Sequence, residues 1–275
     1  MTVGGAEGKK APALFDAHCH LDWEAAPAAV ARACGQRGVA LACCTVTPQA
    51  FLTRGALAAA PNVVLGVGAH PWWVADGRVG KQDVDLAAEL AAEAPLVGEV
   101  GLDFSPARSD AAGNQAQVRA LTRICEAAAV GAGGDPAGQR AISLHAVRSA
   151  GACLDVLEAT GAAARCRCVM HWFSGSSDEL GRALRLGCSF SVGERMLATR
   201  RGREYARQLP AARLLLETDL PDGAGQGVGA DGLLASLDRA LTALAQVRGV
   251  DKDELAATLA ANARALADGV CTLAV

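Results

Sequence analysis

Apolar positions in this chain fall into short continuous runs rather than strict alternations. From Leu14 onward one rhythm repeats: a strand-length apolar run, then a longer stretch rich in helix formers. The runs are "LFDAHCHLD", "VALACCTVT", "NVVLGVGAHP", "PLVGEVGLDF", "AISLHAV", "CRCVMHWF", "CSFSVG" and "RLLLETDLP". Segments such as "AAPAAVARACGQRG" and "DVDLAAELAAEA" separate them. Parallel strands covered on both faces need such runs. Eight of them, each followed by a helix candidate, predict an α/β fold: a closed (β/α)8 TIM-like barrel filling most of the 275 residues as a single domain. Residues 1–13, small, Gly-rich and charged, are expected to be a disordered extension, and 14–275 the barrel unit.

Composition narrows the function classes. At 51% hydrophobic the chain can fill a large core, and its formal charge of −3 argues against a surface coated in basic groups. Any contact with nucleic acid must then be local. An aromatic content of 4% argues against an extended base-stacking platform. Ten cysteines are present without a C-x-x-C pair, which disfavours a structural zinc ribbon. The first residues have no apolar core of a secretory signal, and no apolar run is long enough for a membrane span. A cytoplasmic protein, with free thiols serving as small core residues and no obligatory protein partner evident, is the expectation.

The polar residues inside the apolar runs carry the chemistry. All five histidines fall at or near the ends of predicted strands: His18 and His20 in the first, His70 after the third, His145 in the fifth, His171 in the sixth. Glu99 sits in the fourth, and Glu217 and Asp219 in the eighth. In a barrel these ends converge on one face. Side chains alternate between strand faces, so His18 and His20 point together, with Asp16 expected on their side. Glu99, Gly101 and Asp103 share a face, as do Glu217 and Asp219, with Glu217 one layer deeper. Imidazoles and carboxylates together suit hydrolytic divalent metals such as zinc or manganese. Four histidines with two carboxylates exceed one tetrahedral site and fit two adjacent ions with a bridging carboxylate. Glu217 is read as an orienting partner. Asp16 and Asp22 either orient histidines or make turn hydrogen bonds. His70 is read as a site-lining or substrate-contacting residue rather than a ligand. Trp72, Trp73, Trp172 and Phe173 either line the mouth or pack. The chain lacks a G-x-S-x-G elbow and a G-x-x-x-x-G-K-[ST] loop, which disfavours α/β-hydrolase and P-loop chemistry.

With "DAHCHLD", "GVGAHP", "VGEVGLDF", "LHAVR", "MHWFSGS", "LLLETDLP" and "NARAL" in this order, the chain resembles the TatD-family metal-dependent hydrolases of the amidohydrolase superfamily. The resemblance runs from about residue 14 to 268. It implies a two-metal TIM-like barrel in which His18, His20 and Asp219 hold one ion, His145 and His171 the other, and Glu99 bridges them. It implies hydrolysis of phosphodiester or related ester bonds, with DNA as the usual substrate, Asp219 and Glu99 catalytic, and magnesium, manganese or zinc as the ions. The absence of a lysine in "VGEVGLDF" favours this branch over amidohydrolases bridged by a modified lysine.

The chain also departs from the family pattern. The family often reads H-x-R after the fifth strand, whereas His145 is here followed by Ala146, Val147 and Arg148, so the resemblance implies a substrate-phosphate contact at Arg148 displaced by one residue. Trp172 replaces a common cysteine, and the loop after Pro221 is Gly-rich. These loops govern substrate choice. Arg195, Arg200, Arg201, Arg203 and Arg207 follow the seventh strand and form either a phosphate-binding stretch or a solvated helix face. Two other functions stay open: a small-molecule deacylase, lactonase or deaminase, and a metal-stabilised interaction protein without turnover. Strand alternation places Cys19 away from the histidines it separates. A Cys19→Ala variant is therefore expected to keep its full metal content by elemental analysis, and loss of metal would overturn that placement.

Overall fold

In the computed structural model, which describes residues 14–132 and 140–267, eight parallel strands close into a barrel in chain order. The expected N-terminal extension lies outside the described residues. The strands are β1 Leu14–Cys19, β2 Val39–Cys44, β3 Val63–Val67, β4 Leu96–Asp103, β5 Ala141–Val147, β6 Arg167–His171, β7 Ser189–Val192 and β8 Leu214–Leu216. β1 pairs with both β2 and β8, which completes the ring.

The strands are apolar on both faces because both faces are covered. Val39, Leu41 and Cys43 of β2, Val63 and Leu65 of β3, and Ile142 and Leu144 of β5 belong to the large core cluster shared with the helices. Phe15, Ala40, Ala42, Val64, Leu96, Ala141, Val169 and Leu215 form a second, smaller cluster. Their alternation with the first set puts them inside the barrel. The nine described cysteines are all free and buried, acting as small apolar side chains. Among the described residues no helix is long and apolar enough to cross a membrane.

Two irregularities re-aim the functional side chains. In β1 the register with β2 shifts between Asp16 and Cys19. Before the shift Asp16 pairs with Leu41 and Leu216, both in the helix-side cluster; after it Cys19 pairs with Cys43 of that same cluster. The extra residue inverts the alternation, so Asp16 does not share the face of His18, contrary to the simple period-2 expectation. A second shift, between Val97 and Val100, brackets Glu99 in β4. β8 is three residues long, so Glu217 and Asp219 lie beyond its ladder.

The Arg-rich stretch after β7 forms two helices, Glu194–Ala198 and Arg200–Gln208. Thr199 divides them: its hydroxyl accepts from Gly202 N at 2.9 Å and donates to Met196 O at 3.0 Å. Such a cap satisfies an amide that the helix start leaves free.

Between β3 and His70, Gly68 lies so close to β2 that a Cβ there would sit 1.6 Å from the Thr45 carbonyl oxygen. The obstacle is backbone, which cannot swing aside. Gly68→Ala is expected to destabilise the fold by on the order of 3 kcal/mol, read as a fall in urea midpoint. An unchanged midpoint would mean that β2 and β3 do not approach this closely.

Candidate metal centre

The centre is built on Glu99, which is 2% exposed. Its Oε2 lies 3.3 Å from His70 Nε2, 3.5 Å from His20 Nε2 and 3.7 Å from His18 Nε2. Its Oε1 lies 2.7 Å from His145 Nδ1 and 3.9 Å from His171 Nε2. The second carboxylate, Asp219, presents Oδ1 at 3.4 Å from His20 Nε2 and 3.8 Å from His18 Nε2. All five histidines thus meet one carboxylate at the strand ends, although they come from four separate stretches of chain.

Each ring is turned by a bond on its far side. His20 Nδ1 meets the Cys44 carbonyl at 2.8 Å; since a carbonyl only accepts, Nδ1 carries the proton and Nε2 offers a lone pair. His171 Nδ1 meets Glu217 Oε2 at 2.8 Å, and Ser191 Oγ donates to the same oxygen. His18 Nδ1 meets Ser143 Oγ at 2.7 Å. This is how metal-binding imidazoles are commonly oriented. His145 differs, lying between Glu99 and Asp103, whose Oδ2 is 3.3 Å from Nε2. Asp103 is itself fixed by Ser105 and by Trp72 Nε1 at 2.5 Å.

The donor set fits a divalent cation. Among the described residues His18 Nε2 is buried and has no hydrogen-bond partner, an arrangement that is costly unless another group engages that nitrogen. The separations of 3.3–3.9 Å around Glu99 and Asp219 exceed normal hydrogen bonds. Ligands bonded at about 2.0–2.2 Å to a shared zinc sit roughly 3–3.6 Å from one another. Three groups have ligand atoms within 4.8 Å of one another: His18, His20 and Glu99; His18, His171 and Asp219; His70, Glu99 and His145. His145 and His171 do not share such a group, their ring centroids being 6.1 Å apart.

Electrostatics point the same way. Burial pushes the Glu99 pKa up, but His70, His145 and His18 outweigh it and hold the carboxyl well below its usual range. Burial likewise opposes ionisation of Asp219, and His171 and His20 reverse it. Burial disfavours charge on His171, yet Glu217 and Asp219 carry its pKa up to about 10. His18, stacked on His171 at 3.9 Å, is pushed down by burial and by that neighbouring ring. Two carboxylates are thus held as anions by the rings around them, and a bound cation would supply the same compensating charge.

A cavity of about 740 Å³ opens over the centre, lined by Trp23, Trp72, Trp172, Phe173, Arg108 and Arg195 among others. Trp73 instead packs against the core, with Arg78 over its ring. Arg108 sits 3.9 Å from the Trp72 centroid. Arg195 Nη1 donates to Asp219 Oδ2 at 3.0 Å, and its other arm meets Asp222. Arg148 lies outside this lining.

His70, expected to line the site, lies in it: its Nε2 approaches Glu99 as closely as any ligand candidate except His145. Sequence reasoning missed Ser143 and Ser191, and it read Arg195 as a phosphate contact or solvated residue without foreseeing its bond to Asp219. Ser143 lies two residues before His145 and Ser191 lies in β7, so strand alternation carried a signal for the first. Asp16 accepts from Thr218 N at 2.9 Å and Oγ1 at 2.6 Å, bracing β1 against the end of β8, and Asp22 accepts from Cys43 Sγ. Neither carboxylate bonds a histidine ring among the described residues.

A closed parallel barrel with a histidine–carboxylate centre at its strand ends defines the class: a TIM-barrel protein able to hold metal. The chain belongs to the TatD related DNase family, whose model matches residues 15–268. It is 39% identical to the 3'-5' ssDNA/RNA exonuclease TatD of Erwinia amylovora over 106 residues, covering 36% of this chain and 41% of that relative, so it matches less than half of the relative's length. Its fold is similar to that of YJJV, a TatD homologue from Escherichia coli, with TM-score 0.75, 25% identity, and coverage of 92% of this chain and 97% of that one. A TatD-family hydrolase from Entamoeba histolytica shares the fold at TM-score 0.72 and 14% identity, covering 93% of this chain and 98% of that one.

Glu217→Gln keeps the side-chain shape but removes the charge facing His171. It is expected to weaken metal binding about 10–100-fold in equilibrium dialysis while leaving the melting curve cooperative. Unchanged affinity would show that His171 needs no such partner.

Proposed function

We propose that the protein is a metal-dependent phosphodiesterase acting on DNA, in which Glu99 and the side chains around it would hold two divalent ions. The observation that carries this reading is the buried, partnerless His18 Nε2 facing two ionised carboxylates. In this reading His18, His20 and Asp219 would hold one ion and His145 and His171 the other. When bound, such ions neutralise phosphate oxygens and acidify water near neutral pH.

The chain's own groups divide the remaining work. Asp219 turns Oδ1 to His18 and His20 while Arg195 engages Oδ2, so it would hold the ion through Oδ1 and orient the attacking water beside it. The low pKa of Asp219 keeps that oxygen unprotonated at neutral pH. Glu99 keeps its two oxygens turned to different histidines, which suits a bridge. His70 and Arg108 present donors over the same cavity and would hold substrate oxygens. Zinc and manganese suit this mixed nitrogen–oxygen set better than magnesium, which prefers oxygen ligands. The buried free thiols support a cytoplasmic location.

Glu99→Ala is expected to abolish turnover of a single-stranded oligonucleotide and to lower metal occupancy in elemental analysis. Full activity in that variant would refute the mechanism. Turnover by the wild type of lactones or carboxylic esters, with none of oligonucleotides, would shift the substrate to small molecules.

A further inference from the structure

Beside the metal centre lies a second cavity, of about 710 Å³, which shares Val147, Ser174 and Arg201 with the first. Arg148 and Arg201 are the basic residues lining it. We propose that this cavity is a phosphate subsite, holding the backbone of a polynucleotide strand one step from the phosphate at the metal centre. This rests on the phosphodiesterase reading and goes beyond it by giving the strand a path.

The charges available there support the assignment. Among the five arginines after β7, Arg195 is engaged by Asp219 and Asp222, and Arg207 by Glu204 and the Val247 carbonyl. Arg203 donates to the carbonyls of Leu197 and Ala198. Arg201 commits only Nη1, to the Ser174 carbonyl at 3.2 Å, which leaves most of its N–H donors free. Arg148 makes no hydrogen bond or ion pair among the described residues. It is held at φ 55°, a left-handed conformation that a residue with a side chain adopts only at a cost.

The one acid in the cavity does not cancel these arginines. Glu179 accepts from Gly151 N and from Ser176 N, both at 2.7 Å. Its charge is thereby spent on the first turns of two helices, Ala150–Ala159 and Ser177–Arg185. The wall between the arginines carries hydroxyl groups from Ser174, Ser176 and Ser177. Guanidinium and hydroxyl donors in a cavity that shares a wall with the first suit successive phosphates and read no base.

The test is binding by the metal-loaded protein, followed by fluorescence anisotropy. The probes are a cleavage-resistant phosphorothioate oligothymidylate about twelve nucleotides long and the corresponding dinucleotide, which has a single phosphate. Combining Arg148→Gln with Arg201→Gln is expected to weaken the longer probe about tenfold and to lower its salt slope by about one. The dinucleotide should bind as to wild type. An Arg32→Gln, Arg185→Gln control, with the same charge change elsewhere, should change neither. Unaltered affinity for the longer probe, equal losses on both probes, or an equal loss in the control would each overturn the subsite. Cleavage of unmodified oligonucleotide is scored separately. Arginine-dependent binding without cleavage would fail the phosphodiesterase reading and keep the subsite, whereas cleavage with arginine-independent binding would do the reverse.

Discussion

The structure depends on one difficult placement, a glutamate buried at the end of a central strand. Removing a carboxylate from water is expensive unless charge or hydrogen bonds replace the solvent. Here the replacement comes entirely from imidazoles, delivered by β1, the loop after β3, β5 and β6 to within 4 Å of Glu99. Those rings hold the carboxylate ionised against its burial. No single element could supply them. Closure of the barrel brings them together, which ties the centre to the integrity of the whole ring.

Imidazoles that surround a carboxylate could simply form hydrogen bonds with it and leave nothing for a metal. The residues beneath prevent this for three of them. Ser143, the Cys44 carbonyl and Glu217 take the Nδ1 side of His18, His20 and His171, so each ring turns Nε2 toward the cavity. His145 is the contrast, since both its nitrogens face carboxylates and its pKa is raised as a result, burial notwithstanding. The barrel interior therefore works in layers: an apolar floor, a polar layer that sets ring orientation, and a charged layer at the mouth.

This layering explains which parts of the centre were legible in the chain. Strand-end histidines can be read because apolar runs mark the strands and alternation assigns a face, and Glu99, Glu217 and Asp219 follow by the same logic. Asp16 defeated the logic because a one-residue bulge leaves no mark in composition yet inverts every side chain beyond it. His70 was harder for another reason. It follows β3 and serves as the N-cap of the helix Pro71–Ala75, where its direction depends on the path of a loop. Arg195 belongs to neither pattern: its contact with Asp219 joins two strand-end loops whose proximity only barrel closure creates.

Backbone conformation adds a last link between fold and substrate. Among the described residues, only Arg148, Trp172 and Asp219 carry side chains at positive φ outside glycine. All three lie just past the ends of barrel strands, within one or two residues of the centre or on its rim. Strain of this kind persists only where surrounding packing enforces it. Here that packing lies at the ends of β5, β6 and β8, where the turns that follow border the cavities at once. In Asp219 the turn aims a carboxylate at the histidines. In Trp172 it sets an indole on the cavity wall beside His171, and in Arg148 it sends a cation past the centre into the neighbouring cavity. The same local device thus serves the metal centre once and its surroundings twice.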